Sequence, residues 1–179
     1  MQCFATFKIC IFGDSGVGKT SLIHRLITNR FKQDMKLTIG ADINAKDINL
    51  DNWRVKLQIW DFGGEERFKI FLPAYTRGSS GGIFMYDITR KNSLNNIDEW
   101  FGIFQRALRE EVSRIPILVV GGKKDLDYYR EVTLEDAEHI AQTHNLYDII
   151  ECSAKSGENV EYIFKILTYK MLEKIDLIC

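Results

Sequence analysis

Long apolar runs are missing from this chain. None approaches the ~20 residues that a membrane-spanning helix needs, so a transmembrane segment is not expected. An excess of one charge is missing too. The 24 Lys and Arg stand against 25 Asp and Glu, a net charge of -1, which gives no electrostatic case for nucleic acid. Cysteine is sparse: four, at positions 3, 10, 152 and 179, without metal-ligand spacing. Cys10 and Cys152 fall inside apolar runs, where a cysteine is usually a small buried hydrophobe. A reducing, cytoplasmic setting with no structural disulfide is therefore expected. His24, His139 and His144 make no ligand pattern. Only two prolines occur, and Pro116 precedes a strand-like run, where it is harmless. The opening "MQCFATFKIC" lacks a signal-peptide layout, and no glycine follows Met1 to accept a myristoyl group.

What is present suits a globular protein. The 179 residues are 45% apolar and 27% charged, which fits a single domain over 1–179 with a sizeable core. Strand-like runs recur at Thr6–Phe12, Ile43–Leu50, Val55–Trp60, Gly82–Ile88, Ile117–Val120 and Ile149–Cys152. The second and third are joined by "LDNW", short enough for an antiparallel hairpin around Asp51 and Asn52. Helical patterning fits Lys19–Thr28, Ser93–Glu111, Leu134–His144 and Val160–Lys174. Ser93 and Thr133 are expected N-caps, the latter with Asp136 three residues on. Strands alternating with helices predict an α/β fold, a mostly parallel sheet with helices on both faces. Ligands bind such sheets beyond the carboxyl ends of the strands, so the loops after strands carry the information.

The first such loop reads "GDSGVGKTS", residues 13–21. This is G-x-x-x-x-G-K-[ST] between a strand and a helix, the context that gives the pattern meaning. Its glycines let the backbone curl so that successive N–H groups point at phosphate oxygens. The helix that follows adds its positive end. Lys19 is expected at the β- and γ-phosphates and the Thr20 hydroxyl on Mg²⁺. The pattern points to a nucleoside triphosphate with Mg²⁺.

Asp61 ends the third run, where a carboxylate can hold that Mg²⁺, commonly through water. The "DFG" that begins there is shared with kinases, but the other kinase motifs are missing. Residues 29–43 form a polar loop in which Thr38 could bind Mg²⁺ in the presence of a γ-phosphate. The Gly64 N–H could reach the same phosphate. Two loops held by one leaving group form a switch. The fifth run ends in "GGKKDL", where Asp125 can accept two hydrogen bonds from guanine and the stem of Lys123 can lie over the base. Adenine would leave that carboxylate unpaired. "CSAK", residues 152–155, offers the Ala154 N–H to guanine O6.

With these pieces together the chain resembles a Ras-superfamily small GTPase, closest in pattern to the Rab-like branch. The matching segments are GDSGVGKTS, TIGADI, LQIWDFGGEERF, MYDIT, KKD and ECSAK, in family order from residue 6 to about 174. The resemblance implies a P-loop G-domain with a six-stranded sheet, one strand antiparallel, and about five helices. It implies nucleotide contacts from Asp14, Ser15, Gly16, Val17, Gly18, Lys19, Thr20 and Ser21. Further contacts are implied from Phe31, Thr38, Gly64, Lys123, Asp125, Leu126, Ser153, Ala154 and Lys155. Thr20, Thr38 and Asp61 would serve the metal. It also implies GTP hydrolysis to GDP, and effectors, exchange factors or GTPase-activating proteins that read loops around 31–43 and 62–78. A monomer that visits membranes at most peripherally is expected.

Three departures from the family pattern stand out. Where D-T-A-G-Q-E is usual, this chain has Asp61-Phe62-Gly63-Gly64-Glu65-Glu66. Glu65 thus replaces the glutamine that orients the attacking water, and an ionised glutamate accepts but does not donate. Two outcomes are open. Glu65 positions water, as a base with raised pKa, and hydrolysis is slow; or it is repelled, and the protein is a GTP-gated interaction module. Second, Gly122 replaces the asparagine of N-K-x-D, which predicts weaker nucleotide binding and faster exchange. Third, the sequence ends at Cys179 with neither a CaaX signal nor a double-cysteine ending. These substitutions mark a divergent member, with an archaeal or protist source as the expectation.

Overall fold

The computed structural model describes residues 2–108 and 115–174. Strand β1, Cys3–Phe12, runs into the phosphate-type loop and helix α1, Lys19–Thr28. Strands β2, Ala41–Leu50, and β3, Trp53–Phe62, follow as a hairpin. A 3₁₀ segment at Glu66–Phe71 leads to the short helix α2, Leu72–Thr76, with Pro73 in its first turn. Then come β4, Gly81–Asp87, and helices α3, Lys91–Asn95, and α4, Ile97–Leu108. Strand β5, Ile117–Gly122, a second 3₁₀ segment at Lys124–Tyr129, α5, Leu134–Thr143, β6, Asp148–Glu151, and α6, Val160–Lys174, complete the order.

The sheet order is β2-β3-β1-β4-β5-β6, with only β2 antiparallel to its neighbour. The hairpin turn uses the two expected residues: Leu50 pairs Trp53, and Asp51 adopts a left-handed φ of 48°. Period-two alternation sends β1 residues to opposite faces. Ile9 and Ile11 pack with Leu22, Ile23 and Leu26 of α1 and with Ile163, Phe164 and Leu167 of α6. Cys10 and Phe12 pack with Trp100 and Phe104 of α4 on the other side. Burial on both faces explains why the central strands read as continuous apolar runs.

Val55, Leu57 and Ile59 of β3 belong to the α1/α6 core, and Asp61 continues the same alternation. The parallel register sets Asp61 beside Ile11, two residues before the phosphate-type loop begins. The carboxylate therefore faces the start of α1.

Several expectations need correction. One helix was expected over Ser93–Glu111. The structure breaks it at Asn96, whose side chain turns to bond Asp14, and residues 109–111 of that prediction lie outside the described residues. The described residues hold six α-helices, in keeping with the expected G-domain fold of about five, since α3 and α4 divide one expected helix. Ser93 is not an N-cap. It lies inside α3, buried, where its hydroxyl accepts from Asp87 N at 2.9 Å and donates to Arg90 O at 2.7 Å. Thr133 does cap α5, in a reciprocal capping box with Asp136. Cys10 and Cys152 are free and buried, but Cys3 is disulfide-bonded. Spacing along a chain does not reveal which sulfurs meet in space.

Candidate nucleotide-binding site

A cavity of about 400 Å³ opens beyond the carboxyl ends of β1, β4 and β5. Residues 15–21 form its floor, and Gly16 and Gly18 take left-handed φ values of 75° and 109°. Phe31, Thr38, Gly64, Lys123, Asp125, Leu126, Ala154 and Lys155 complete the predicted part of its wall. Six strand-end or loop segments, spread over 140 residues of chain, thus meet at one place.

At the phosphate end Lys19 is buried, and its ammonium donates to the carbonyls of Gly13 and Asp14 at 2.8 Å each. Burial pushes its pKa down to about 8, against the raising effect of Asp61 and Asp14. The Thr20 hydroxyl donates to Asp61 Oδ2 at 2.5 Å and lies 2.8 Å from the Thr38 hydroxyl, which itself reaches Asp61 Oδ2 at 3.3 Å. Burial raises the Asp61 pKa, countered by the Thr20 bond, Lys19 and the Thr38 bond. Its second oxygen, Oδ1, is buried with no hydrogen-bond partner. One carboxylate with an unused oxygen and two hydroxyls are hard oxygen donors of the kind Mg²⁺ takes together with phosphate and water. These residues fit that ion.

The two loops that close this end are tied to each other. Gly63 N donates to Gly40 O at 2.8 Å. The Gly64 backbone lies so close to Asp14 and Ser15 that a Cβ there would overlap both.

At the base end Lys123 has a left-handed φ of 66°, and Lys124 N donates to Cys152 O at 2.9 Å. These features turn Asp125 toward the cavity. One Asp125 oxygen, Oδ1, accepts from Ser153 Oγ at 2.6 Å, so Ser153 holds the carboxylate from behind rather than lining the cavity. The Lys123 ammonium is anchored on Asp87 at 2.7 Å. That fixes its stem along the cavity wall.

Besides Ser153 and the buried Asp61, two predicted residues stand apart from the cavity lining. Asp14 turns its carboxylate outward, accepting from Trp100 Nε1 at 2.8 Å and Asn96 Nδ2 at 2.7 Å. Its part is to tie the loop to α4. Glu65 sits at the rim with its carboxylate on Arg67, 3.1 Å from Nε. Several residues of the site had no role assigned to them from the sequence. Met85 lines the cavity, Asp87 anchors Lys123, and Arg90 donates to Ser15 O at 2.8 Å. Asp87 lies in the MYDIT segment that matched the family, which marked its place but not its partner. Lys69 joins the same region, bound to Glu66 and Glu99 and lying 4.7 Å from the centre of the Trp100 ring.

A phosphate-type loop at the end of the first strand, an oxygen cluster opposite it and an aspartate-lysine pair across the cavity match the arrangement expected of a guanine-nucleotide-binding G-domain. Residues 8–173 match the Ras family, and the chain belongs to it. Within the superfamily it is a Rab-like small GTPase. It is 41% identical to the human Ras-related protein Rab-4B over 95% of this chain and 78% of that protein. The zebrafish (Danio rerio) Ras-related protein Rab-4A is 42% identical, again over 95% and 78%. GTP-binding protein ypt3 of Schizosaccharomyces pombe is 40% identical, over 95% of this chain and 81% of its own length.

Proposed function

We propose that this small GTPase is a slow GTP hydrolase whose two linked loops report the γ-phosphate to partners. The observation that carries the reading is the closure at the phosphate end. Thr20, Thr38 and Asp61 form one oxygen cluster, and Gly63 and Gly64 bring the second loop onto the phosphate loop. Loss of a γ-phosphate removes what both loops share. Burial draws the Lys19 pKa down to about 8 against the pull of Asp61 and Asp14, and an adjacent phosphate favours its charged form further. Bound Mg²⁺, held by Thr20, Thr38 and Asp61, would neutralise charge on the β- and γ-phosphates. Lys19 and the amides of residues 15–20 then supply the rest of that stabilisation. Asp125, steadied by Ser153, selects guanine; Lys123, Leu126, Ala154 and Lys155 line the base side, and Phe31 closes the outer edge.

Glu65 acts on the attacking water only after exchanging its exposed pair with Arg67, and such pairs contribute about 0–1 kcal/mol. Rotation toward the water is therefore cheap, while the charge it brings keeps the rate low. The second reading, a GTP-gated interaction module with little hydrolysis, draws on the pairing of Glu65 with Arg67 outside the cavity lining. Apolar side chains around both loops stay exposed, with Leu37, Ile39, Ile43, Ile70 and Phe71 all more than half accessible. They suit effectors and regulators of membrane traffic. No described helix is long and apolar enough to cross a membrane.

Single-turnover conversion of GTP to GDP with Mg²⁺ tests the reading. Slow conversion that changes in Glu65→Gln supports a water-positioning Glu65. A rate unchanged by Glu65→Gln removes Glu65 from the chemistry. No conversion, with GTP retained, leaves the interaction module.

A further inference from the structure

Met85 lies within the buried apolar run of β4 and is almost wholly buried itself, 1% exposed. It nevertheless reaches the nucleotide cavity, and it fills the side-chain space of three glycines, two in the phosphate loop and one at the end of β5. Its carbonyl oxygen fills the place of any side chain on Gly13. Its terminal methyl, Cε, lies 3.4 Å from where a Cβ on Gly18 would sit and 2.5 Å from where one on Gly122 would sit. The Gly122 position also faces the Val17 carbonyl oxygen at 2.8 Å. The phosphate loop, β4 and the entrance to the base site therefore close on one point, and a thioether occupies it.

This changes the meaning of Gly122. A glycine there leaves β5 with no side chain to reach the phosphate loop, and Met85 supplies contact from the neighbouring strand instead. The contact is apolar, made by a side chain with three rotatable bonds that conforms to irregular gaps. We infer that Met85 is a positioning residue for the bound nucleotide. It supports the phosphate loop from beneath, and it and Gly122 form a size-matched pair that sets how long the nucleotide stays. The loop is thus braced by close packing at a point where a polar side chain on 122 would have no room. The inference rests on the nucleotide reading of the cavity.

The test is the release rate of a fluorescent GDP analogue, with Mg²⁺ present, from four proteins: the parent, Gly122→Ala, Met85→Leu and the double variant. Unfolding midpoints are measured on the same samples. Met85→Leu keeps the core volume nearly constant and shortens the reach of the side chain. Gly122→Ala alone drives its Cβ onto Met85 Cε and the Val17 carbonyl, and release should quicken by about tenfold, the equivalent of ~1.4 kcal/mol. Met85→Leu alone loosens the loop and should quicken release severalfold with little change in midpoint. In the double variant the shortened side chain removes the overlap with Met85 but leaves that with the Val17 carbonyl, so the rate should fall part of the way back from that of Gly122→Ala. Release rates that simply multiply, or a Met85→Leu rate equal to the parent's, would overturn the inference. A Met85→Val version of the same set gives the answer if a Leu variant does not fold. Failure of the parent to bind the analogue at all would instead refute the nucleotide reading.

Discussion

The bond between Trp100 and Asp14 offers a quantitative check on how the phosphate loop is held. The indole Nε1 donates to Asp14 Oδ1 at 2.8 Å across 86 residues of sequence, and the ring is wholly buried. A hydrogen bond to a charged acceptor contributes about 1.5–3 kcal/mol. Asp14 is partly exposed, and its other oxygen keeps the Asn96 donor at 2.7 Å, so the lower end applies, ~1.5 kcal/mol. Trp100→Phe alone would mix this with the cost of a cavity where the indole was. A double-mutant cycle with Asp14→Ala removes the cavity contribution, because it is common to both arms. The assay is urea unfolding followed by far-UV circular dichroism, with GDP and Mg²⁺ fixed at saturation since bound ligand adds to apparent stability. A coupling energy of ~1.5 kcal/mol is expected. A value under ~0.5 kcal/mol, within ordinary additivity error, would refute the claim that this bond ties the loop to α4.

Other consequences are open to measurement. Thr133→Ala removes the reciprocal cap of α5 and should cost about 1 kcal/mol, lowering the thermal midpoint by roughly 2–4 °C. Burial raises the Asp87 pKa, but the bonds from Lys123 and Thr89 outweigh it and hold the group below its ordinary value of 3.8. Its stabilising contribution is complete above that value and is lost as pH falls through the lower folded value. The midpoint gap between the parent and Asp87→Asn should therefore be steady from pH 7 to 5 and close on further acidification; a gap unchanged at pH 3 would count against the ion pair. Chelating Mg²⁺ should hasten GDP release from the parent protein and have little further effect on Thr20→Ala, as nucleotide exchange assays would show.

The elements with strong local signals were legible in the sequence. Strand β1, the phosphate loop and α1 announce themselves by an apolar run, a glycine spacing and a lysine-threonine pair. The antiparallel hairpin follows from a two-residue turn, and α6 from its 3.6-residue spacing. What could not be read depends on contacts between distant segments. Asn96 sits inside a helical pattern, and only its bond to Asp14, 82 residues away, explains the break there. Ser93 has the chemistry of a cap, but the backbone N–H of Asp87 claims its hydroxyl. Met85 looks like one more core residue of β4 until the phosphate loop is folded over it. Asp14 was legible as part of a motif and not as a tether, because its partners leave no local pattern.

The register between β1 and β3 limits which lengths of chain this protein tolerates. Asp61 reaches Thr20 only because it lies opposite Ile11 and shares a face with Leu57 and Ile59. A single residue inserted between the hairpin turn and Asp61 would turn the carboxylate to the opposite face, among Phe62 and Tyr75. Two inserted residues would restore the face but carry it ~7 Å along the strand. Insertions in the loop at 32–37 meet no such constraint, since no ladder counts those residues, whereas Thr38 and Gly40 after them are held by Asp61 and Gly63. Length variation among relatives should therefore gather in that loop and avoid the eight residues between Asn52 and Asp61, whatever happens to the composition of either.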